Sequence, residues 1–233
     1  PDYEAGEKAE EAPAEEAPVE AAPIKEKSIL RINLSGELAE RGDANPFASL
    51  MGETSASLSL EDALLALDKA AKNDKILGVY LEGGAIAANP GMAQELRQAL
   101  VESKKSGKWV VAYGDSYGKT AYYLSSVADS VLLNPEGNVD FSGMATQIMF
   151  FKDVMEKVGV KMQVFKVGTY KSAVEPFICS EMSPANREQV TSYLFSIWTN
   201  MLKDVAESRN MEVGKLNSLA DSLTMISDAA MAL

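Results

Sequence analysis

Residues 59–81, SLEDALLALDKAAKNDKILGVYL, contain the unit from which the rest of the chain can be read. Leu60, Leu64, Leu67 and Ala71 recur at helical spacing behind Ser59, whose hydroxyl suits the first position of a helix, and Ile76 to Leu81 form a short apolar run of strand length. Helix followed by strand is therefore the local grammar. It repeats downstream. Residues 91–105 (GMAQELRQALVESKK) carry Leu96, Leu100 and Val101 on one helical face, Gly107 can end that helix, and Trp109 to Tyr113 reads as the next strand. Residues 118–128 then predict a short helix, Ser130–Leu133 a strand, residues 151–158 a helix and Met162–Val167 another strand. Upstream, Ile29, Leu30, Ile32 and Leu34, closed by Ser35 and Gly36, predict a first buried strand. Four helix-then-strand units in succession imply an α/β fold, a parallel sheet with helices packed on it. After Pro184 the pattern is helical to about Arg209, with Val190, Leu194, Ile197, Trp198, Met201, Leu202 and Val205 on one broad face. That face needs a cover, either its own sheet or another domain.

Composition narrows the chemistry. The chain has 233 residues, a net charge of -12 and no histidine. Imidazole-based triads, Cys/His pairs and histidine-ligated metals cannot be built from it alone. The acidic balance argues against nucleic acid as a partner, because phosphate recognition needs clustered cations. A single cysteine, Cys179, leaves no intrachain disulfide to form. Without an imidazole to activate it, Cys179 is also a poor nucleophile. Residues 1–27 hold nine acids and three lysines among Ala and Pro, half of the net charge, and read as a solvated linker preceding a domain over residues 28–233. No apolar stretch is long enough to span a bilayer. The sequence starts at Pro1 and stops at Leu233 within an apolar, helical-looking segment, so it reads as a piece of a longer chain whose signal or anchor could precede residue 1.

Reactive side chains concentrate in Val167–Phe177, VGTYKSAVEPF, directly after the predicted strand Met162–Val167. Loops at the carboxyl ends of parallel strands are where open α/β sheets place ligands. Lys171 would serve as a base only when neutral. At an ordinary pKa near 10.4 only about 0.04% is neutral at pH 7, and bringing it to about 7 requires roughly 4.6 kcal/mol of destabilisation of the ammonium. Val167, Ala173, Val174, Phe177 and Ile178 are the apolar neighbours that would desolvate it. By spacing alone, a lysine between Tyr170 and Ser172 is a surface loop charge.

The run VGTYKSAVEPF, followed by MSPANREQV and preceded by the alternation above, resembles the amino-terminal domain of the long, two-domain form of signal peptide peptidase A (protease IV). The likeness covers roughly residues 28–221. It implies a ClpP/crotonase-like fold of repeated ββα units with a long C-terminal helical segment. It also implies that Lys171 is the general base of a Ser/Lys dyad in a serine endopeptidase for hydrophobic signal peptides. Ser172, Thr169 and Tyr170 are the candidates to orient the lysine amine. In that family the serine belongs to a carboxyl-terminal domain. The comparable stretch here is Tyr117–Leu124 (YGKTAYYL), where Lys119 stands at the serine's position, and Gly83-Gly84 looks like a degenerate oxyanion loop, although by itself it reads as an ordinary strand-to-helix turn. Ser116, Ser125 and Ser172 lack the glycine context of a nucleophile and read as cap, turn or surface serines.

The resemblance further implies an N-terminal membrane anchor, a location outside the cytoplasmic membrane, a partner domain carrying the serine and a homo-oligomer. No cofactor and no metal are expected. Glu175, preceding Pro176, is expected in extended geometry and in a structural ion pair; the alternative is a place near Lys171, where it would raise the lysine's pKa and hinder catalysis. Tyr122, Tyr123, Phe150, Phe151 and Trp198 are expected in the core or an interface, or lining an apolar substrate groove. Two other readings remain. A crotonase-like acyl-CoA enzyme would use Glu82 or Asp115, and a non-catalytic assembly domain would use neither these carboxylates nor Lys171.

Overall fold

A computed structural model describes residues 23–42 and 57–222. Most of the acidic segment 1–27 and the stretch leading to Leu233 lie outside the described residues. Strands β1 (Ser28–Asn33), β4 (Ile76–Glu82), β6 (Trp109–Tyr117) and β7 (Ser130–Val139) form one sheet in the order β1-β4-β6-β7, parallel throughout. The short strands β2 (Gly36–Ala39), β3 (Ser57–Ser59) and β5 (Ile86–Ala87) form a second parallel sheet in the order β3-β2-β5. Each of the first two units therefore sends one strand to the main sheet and its short follower to the small one before entering a helix. Those helices are α1 (Leu60–Lys72) and α2 (Pro90–Lys104).

Helix boundaries follow capping chemistry. The Ser59 hydroxyl accepts from the Asp62 N–H at 3.2 Å, and Asn89 accepts from Gly91 N–H at 2.9 Å with Pro90 in the first turn. Gly107 takes φ +82°, a left-handed value that stops α2 one turn before β6.

Register sets the core. Leu30, Val79 and Val110 align across three strands, as do Ile32, Leu81 and Ala112. Val79, Leu81, Val110 and Ala112 are fully buried. Each buried branched side chain contributes about 1.5–3 kcal/mol. The other face is more open: Ile29, Trp109, Tyr113 and Leu132 stay substantially exposed. The expected first buried strand is thus an edge strand with only one face inward. Parallel sheets ordinarily have both faces covered. Here no described element covers the second face.

A larger correction concerns the fourth unit. Helix α4 (Lys152–Lys157) forms, but Met162–Val167 is not a strand; it is exposed chain with Phe165 89% and Val167 90% accessible. An apolar run becomes a strand only where another edge pairs with it. Beyond Phe141, which is buried, the chain leaves the sheet.

The chain returns through α6 (Pro184–Arg209), whose last three turns bury Trp198, Met201, Leu202, Val205 and Ala206. Val190, Leu194 and Ile197, on the same predicted face, remain only half-buried. Arg97 of α2 fixes the docking. Its guanidinium donates to the Tyr123 carbonyl, to Ser126 Oγ at 2.8 Å, to the Asp204 carbonyl at 2.7 Å and to Ser208 Oγ at 2.6 Å. It also lies 4.6 Å from the centre of the Tyr123 ring, and Tyr123 Oη donates to Asp204 at 2.6 Å. Desolvation pulls the Arg97 pKa below its ordinary value, partly offset by Tyr123 and Asp204. Trp198 lies 5.3 Å from Phe141 and donates to Asn217 of α7 (Val213–Asp221) at 2.9 Å. Among the described residues no helix is long and apolar enough to cross a membrane.

Candidate active site

Lys171 lies in the excursion between Phe141 and Trp198. From Ser142 to Ile197 only two side chains are buried, Glu175 and Asn186, and both are polar. They touch. The Glu175 carboxylate accepts from Ser183 Oγ at 2.6 Å, from Ser183 N–H at 3.2 Å and from Asn186 Nδ2 at 2.9 Å. Ser183 in turn caps α6, its Oγ accepting from Asn186 N–H at 3.2 Å. The Ser183 hydroxyl contact, with help from Asn186 and Lys166, holds the Glu175 carboxyl below the usual glutamate range against the opposing pull of burial. Glu175 itself opens the short helix α5 (Glu175–Ile178) at φ -57°, ψ -37°. The extended geometry expected before Pro176 is therefore wrong, because bonds to the buried carboxylate outweigh a modest steric preference. Its structural engagement agrees with the sequence, through hydrogen bonds rather than an ion pair.

Immediately upstream, Gly168 takes φ +104°, which favours glycine, and Ser172–Val174 form a single 3₁₀ turn with Lys171 at its start. The side chains flanking the lysine both reach α6. Tyr170 Oη donates to Glu188 at 3.2 Å and Ser172 Oγ donates to Gln189 Oε1 at 3.1 Å. Thr169 is exposed. The Tyr170 and Ser172 hydroxyls therefore brace the turn against α6. Lys171 is exposed and has no hydrogen-bond or ion-pair partner among the described residues. The apolar walls expected around it are not closed among the described residues, since Val167 and Ala173 are exposed and Phe177 is 39% accessible.

Apolar surface lies along the same excursion. Phe151 and Phe177 stack with centroids 6.1 Å apart, and Phe151 N–H donates to the Pro176 carbonyl at 2.6 Å, joining α4 to α5. Met155, Val160, Met162, Phe177 and Ile178 line a cavity of about 420 Å³ there. Tyr122, Tyr123 and Trp198 instead belong to the core, and Phe150 is half-buried. Cys179 is half-buried, and its N–H donates to the Glu175 carbonyl at 2.8 Å.

The two glycine-bearing stretches meet at the end of β4 and β6. Gly118 N–H donates to the Gly84 carbonyl at 2.9 Å, and Gly83 N–H donates to the Tyr113 carbonyl at 2.7 Å. Any Cβ at Gly83 would strike the Tyr117 ring at 2.4 Å, and one at Gly84 would meet Ser35 Oγ at 2.2 Å. Lys119, the first residue of α3 (Lys119–Ser125), donates its ammonium to the Gly143 carbonyl. The position compared with a serine is thus filled by a cation holding the start of the excursion. Ser125 is completely buried with its hydroxyl unpaired, contrary to the cap, turn or surface reading, because it faces inward from α3. Glu82 pairs with Arg31 at 2.5 Å, and Asp115 accepts from Tyr113 at 3.1 Å and Asn134 at 2.8 Å.

Sequence reasoning missed Arg97, Ser183 and Asn186. The Ser183-Pro184 pair was a visible helix-start signal, but nothing in the spacing tied it to Glu175.

Parallel strands that alternate between a main and a small sheet, with helices between them, are the architecture of the ClpP/crotonase type. The pattern of Peptidase family S49 matches residues 102–233, and the chain belongs to that family. It is similar to "Protease 4" of Haemophilus influenzae, 33% identical over 201 residues covering 82% of this chain and 32% of that protein. "Protease 4" of Salmonella typhi is 34% identical over 213 residues, 86% of this chain and 34% of that one. "Serine protease SPPA, chloroplastic" of Arabidopsis thaliana is 30% identical over 181 residues, 78% and 26% of the two chains. The chain spans about a third of the length of the two Protease 4 relatives.

Proposed function

We propose that this chain is the lysine-bearing part of a Ser/Lys endopeptidase that degrades hydrophobic peptides, with Lys171 as general base and the serine on a following domain. The observation that carries the reading is the presentation of Lys171. Its neighbours brace the turn from both sides, while the amine itself is exposed and unpaired among the described residues. A following domain would supply the missing apolar wall and lower the cost of a neutral amine. The partner serine then attacks the peptide carbonyl, Lys171 takes the hydroxyl proton and returns it to the leaving amine, and backbone amides of a glycine-rich loop in that domain hold the oxyanion.

The names of the S49 relatives support a peptidase, and the apolar surface around Phe151, Met162 and Phe177 supports hydrophobic segments as substrate. Residues 1–27 serve as a spacer between a membrane anchor and the domain at 28–233. In this reading the domain lies on the extracytoplasmic side and assembles as a homo-oligomer. A second reading, assembly without catalysis, is favoured by Lys119 at the position compared with the serine. The acyl-CoA reading has less support, because Glu82 and Asp115 are already engaged.

The test is hydrolysis of a fluorogenic hydrophobic peptide by the full-length gene product and its Lys171→Ala variant. We expect kcat to fall by at least about 1,000-fold with the fold intact, the scale for loss of a catalytic base together with its positioning. Full activity in the variant would remove the base role and leave the assembly reading.

A further inference from the structure

We propose that Glu175 is the positioning residue for Lys171, acting through a polar pin that joins the lysine-bearing turn to the start of α6. The inference rests on the reading of Lys171 as the base. It goes beyond that reading by assigning a role to a side chain that touches neither substrate nor the reacting atoms.

Besides Glu175 and Asn186, every buried side chain among the described residues lies outside 142–197, so no apolar core orders the lysine turn. Polar contacts must do so. Glu175 is 2% exposed and receives three hydrogen bonds, all from Ser183 and Asn186 at the first turn of α6. A buried carboxylate with three donors has well-defined geometry, because losing any one leaves a charged group under-solvated. The α6 terminus is a firm anchor: the far end of the same helix is locked to the core through Arg97 and Trp198. Glu175 lies four residues after Lys171, with only the Ser172–Val174 turn between them. Placement thus runs from the core, along α6, across Ser183 and Asn186 to Glu175, and back one turn to the lysine. Tyr170 and Ser172 add two exposed contacts to Glu188 and Gln189 on the same helix. Exposed pairs of this kind are weak alone. The buried pin is the element that sets where they meet.

The role predicts a specific kinetic pattern in the full-length protein, measured on an activated ester of a hydrophobic peptide so that residual rates stay visible. Glu175→Ala should lower kcat about 100-fold with KM nearly unchanged, the scale of a roughly 1 Å misplacement of a catalytic group. Glu175→Gln keeps an acceptor for Ser183 and should recover most of the loss. In a Lys171→Ala background, adding Glu175→Ala should cost nothing further, since a positioning residue acts only through the group it positions. A merely structural role would lower activity in both backgrounds equally. The inference is overturned if Glu175→Ala keeps kcat within about 3-fold of the parent, or if its loss is the same with and without Lys171. Should Glu175→Ala fail to fold, Asn186→Ala removes the 2.9 Å contact and leaves both the carboxylate and the Ser183 cap, and the same two criteria apply to it. The two proposals fail separately: full activity in Lys171→Ala defeats the base reading, whereas an inactive Lys171→Ala beside an unaffected Glu175→Ala defeats only this one.

Discussion

The sheet core and the excursion from Ser142 to Ile197 are held together by different physics. In the core, Leu34, Leu81, Leu96, Leu100 and Leu124 are fully buried, and its buried arginine donates four hydrogen bonds. In the excursion the buried side chains are a glutamate and an asparagine, and Met149, Val158, Phe165, Val167 and Phe195 are all at least two-thirds exposed. A domain that needed only to be stable would not spend so much apolar surface on solvent. The core is thus ordered by apolar burial and the segment carrying Lys171 by polar contacts, and the proposal of a completing partner domain rests on that contrast.

Several substitutions sharpen or break that contrast. The largest effect is expected at Arg97→Ala, which strands two carbonyls and two hydroxyls between α2, α3 and α6. We expect about 3–5 kcal/mol of destabilisation in urea unfolding, and a loss below about 1 kcal/mol would mean that α6 is not docked through this residue. Leu96→Ala, fully buried in α2, should cost about 3 kcal/mol by the same measurement.

Acid should separate the two regions next. The Glu175 carboxyl lies below its unfolded value of about 4.3, so the stability it contributes is fully present above that value. That contribution is lost as pH falls through the lower folded value. Residues 142–197 should therefore gain pepsin sensitivity in acid before the core does, and Glu175→Gln should remove this pH dependence. The smallest effect belongs to Phe165→Ser. At 89% exposure it should change stability by no more than about 0.5 kcal/mol, despite deleting a large aromatic side chain.

The contrast also explains what could be read in advance. Helices α1, α2 and α6 were legible from their apolar spacing, with Ser59 and Pro184 marking two of the starts; the Asn89 cap of α2 was not read. The strands Ile76–Glu82 and Trp109–Tyr117 were legible because buried parallel strands are continuous apolar runs. Met162–Val167 carries similar residues and was misread, since a run of apolar residues does not say whether a neighbouring edge exists. The motif around Lys171 was visible as a motif. Its support was not: Glu175, Ser183 and Asn186 are ordinary polar types eight and eleven residues apart, and only the fold makes them neighbours. Arg97 was hidden for the same reason, as one more charge on an amphipathic helix.

Hydrogen exchange read by mass spectrometry, on this chain alone and on the full-length gene product, distinguishes a segment completed from outside from one that is self-sufficient. Amides across 142–178 should exchange quickly in the isolated chain and gain strong protection in the longer protein, while β4, β6 and α2 exchange alike in both. Equal exchange of 142–178 in the two samples would contradict completion from outside, because the segment bearing Lys171 would then owe nothing to a completing partner.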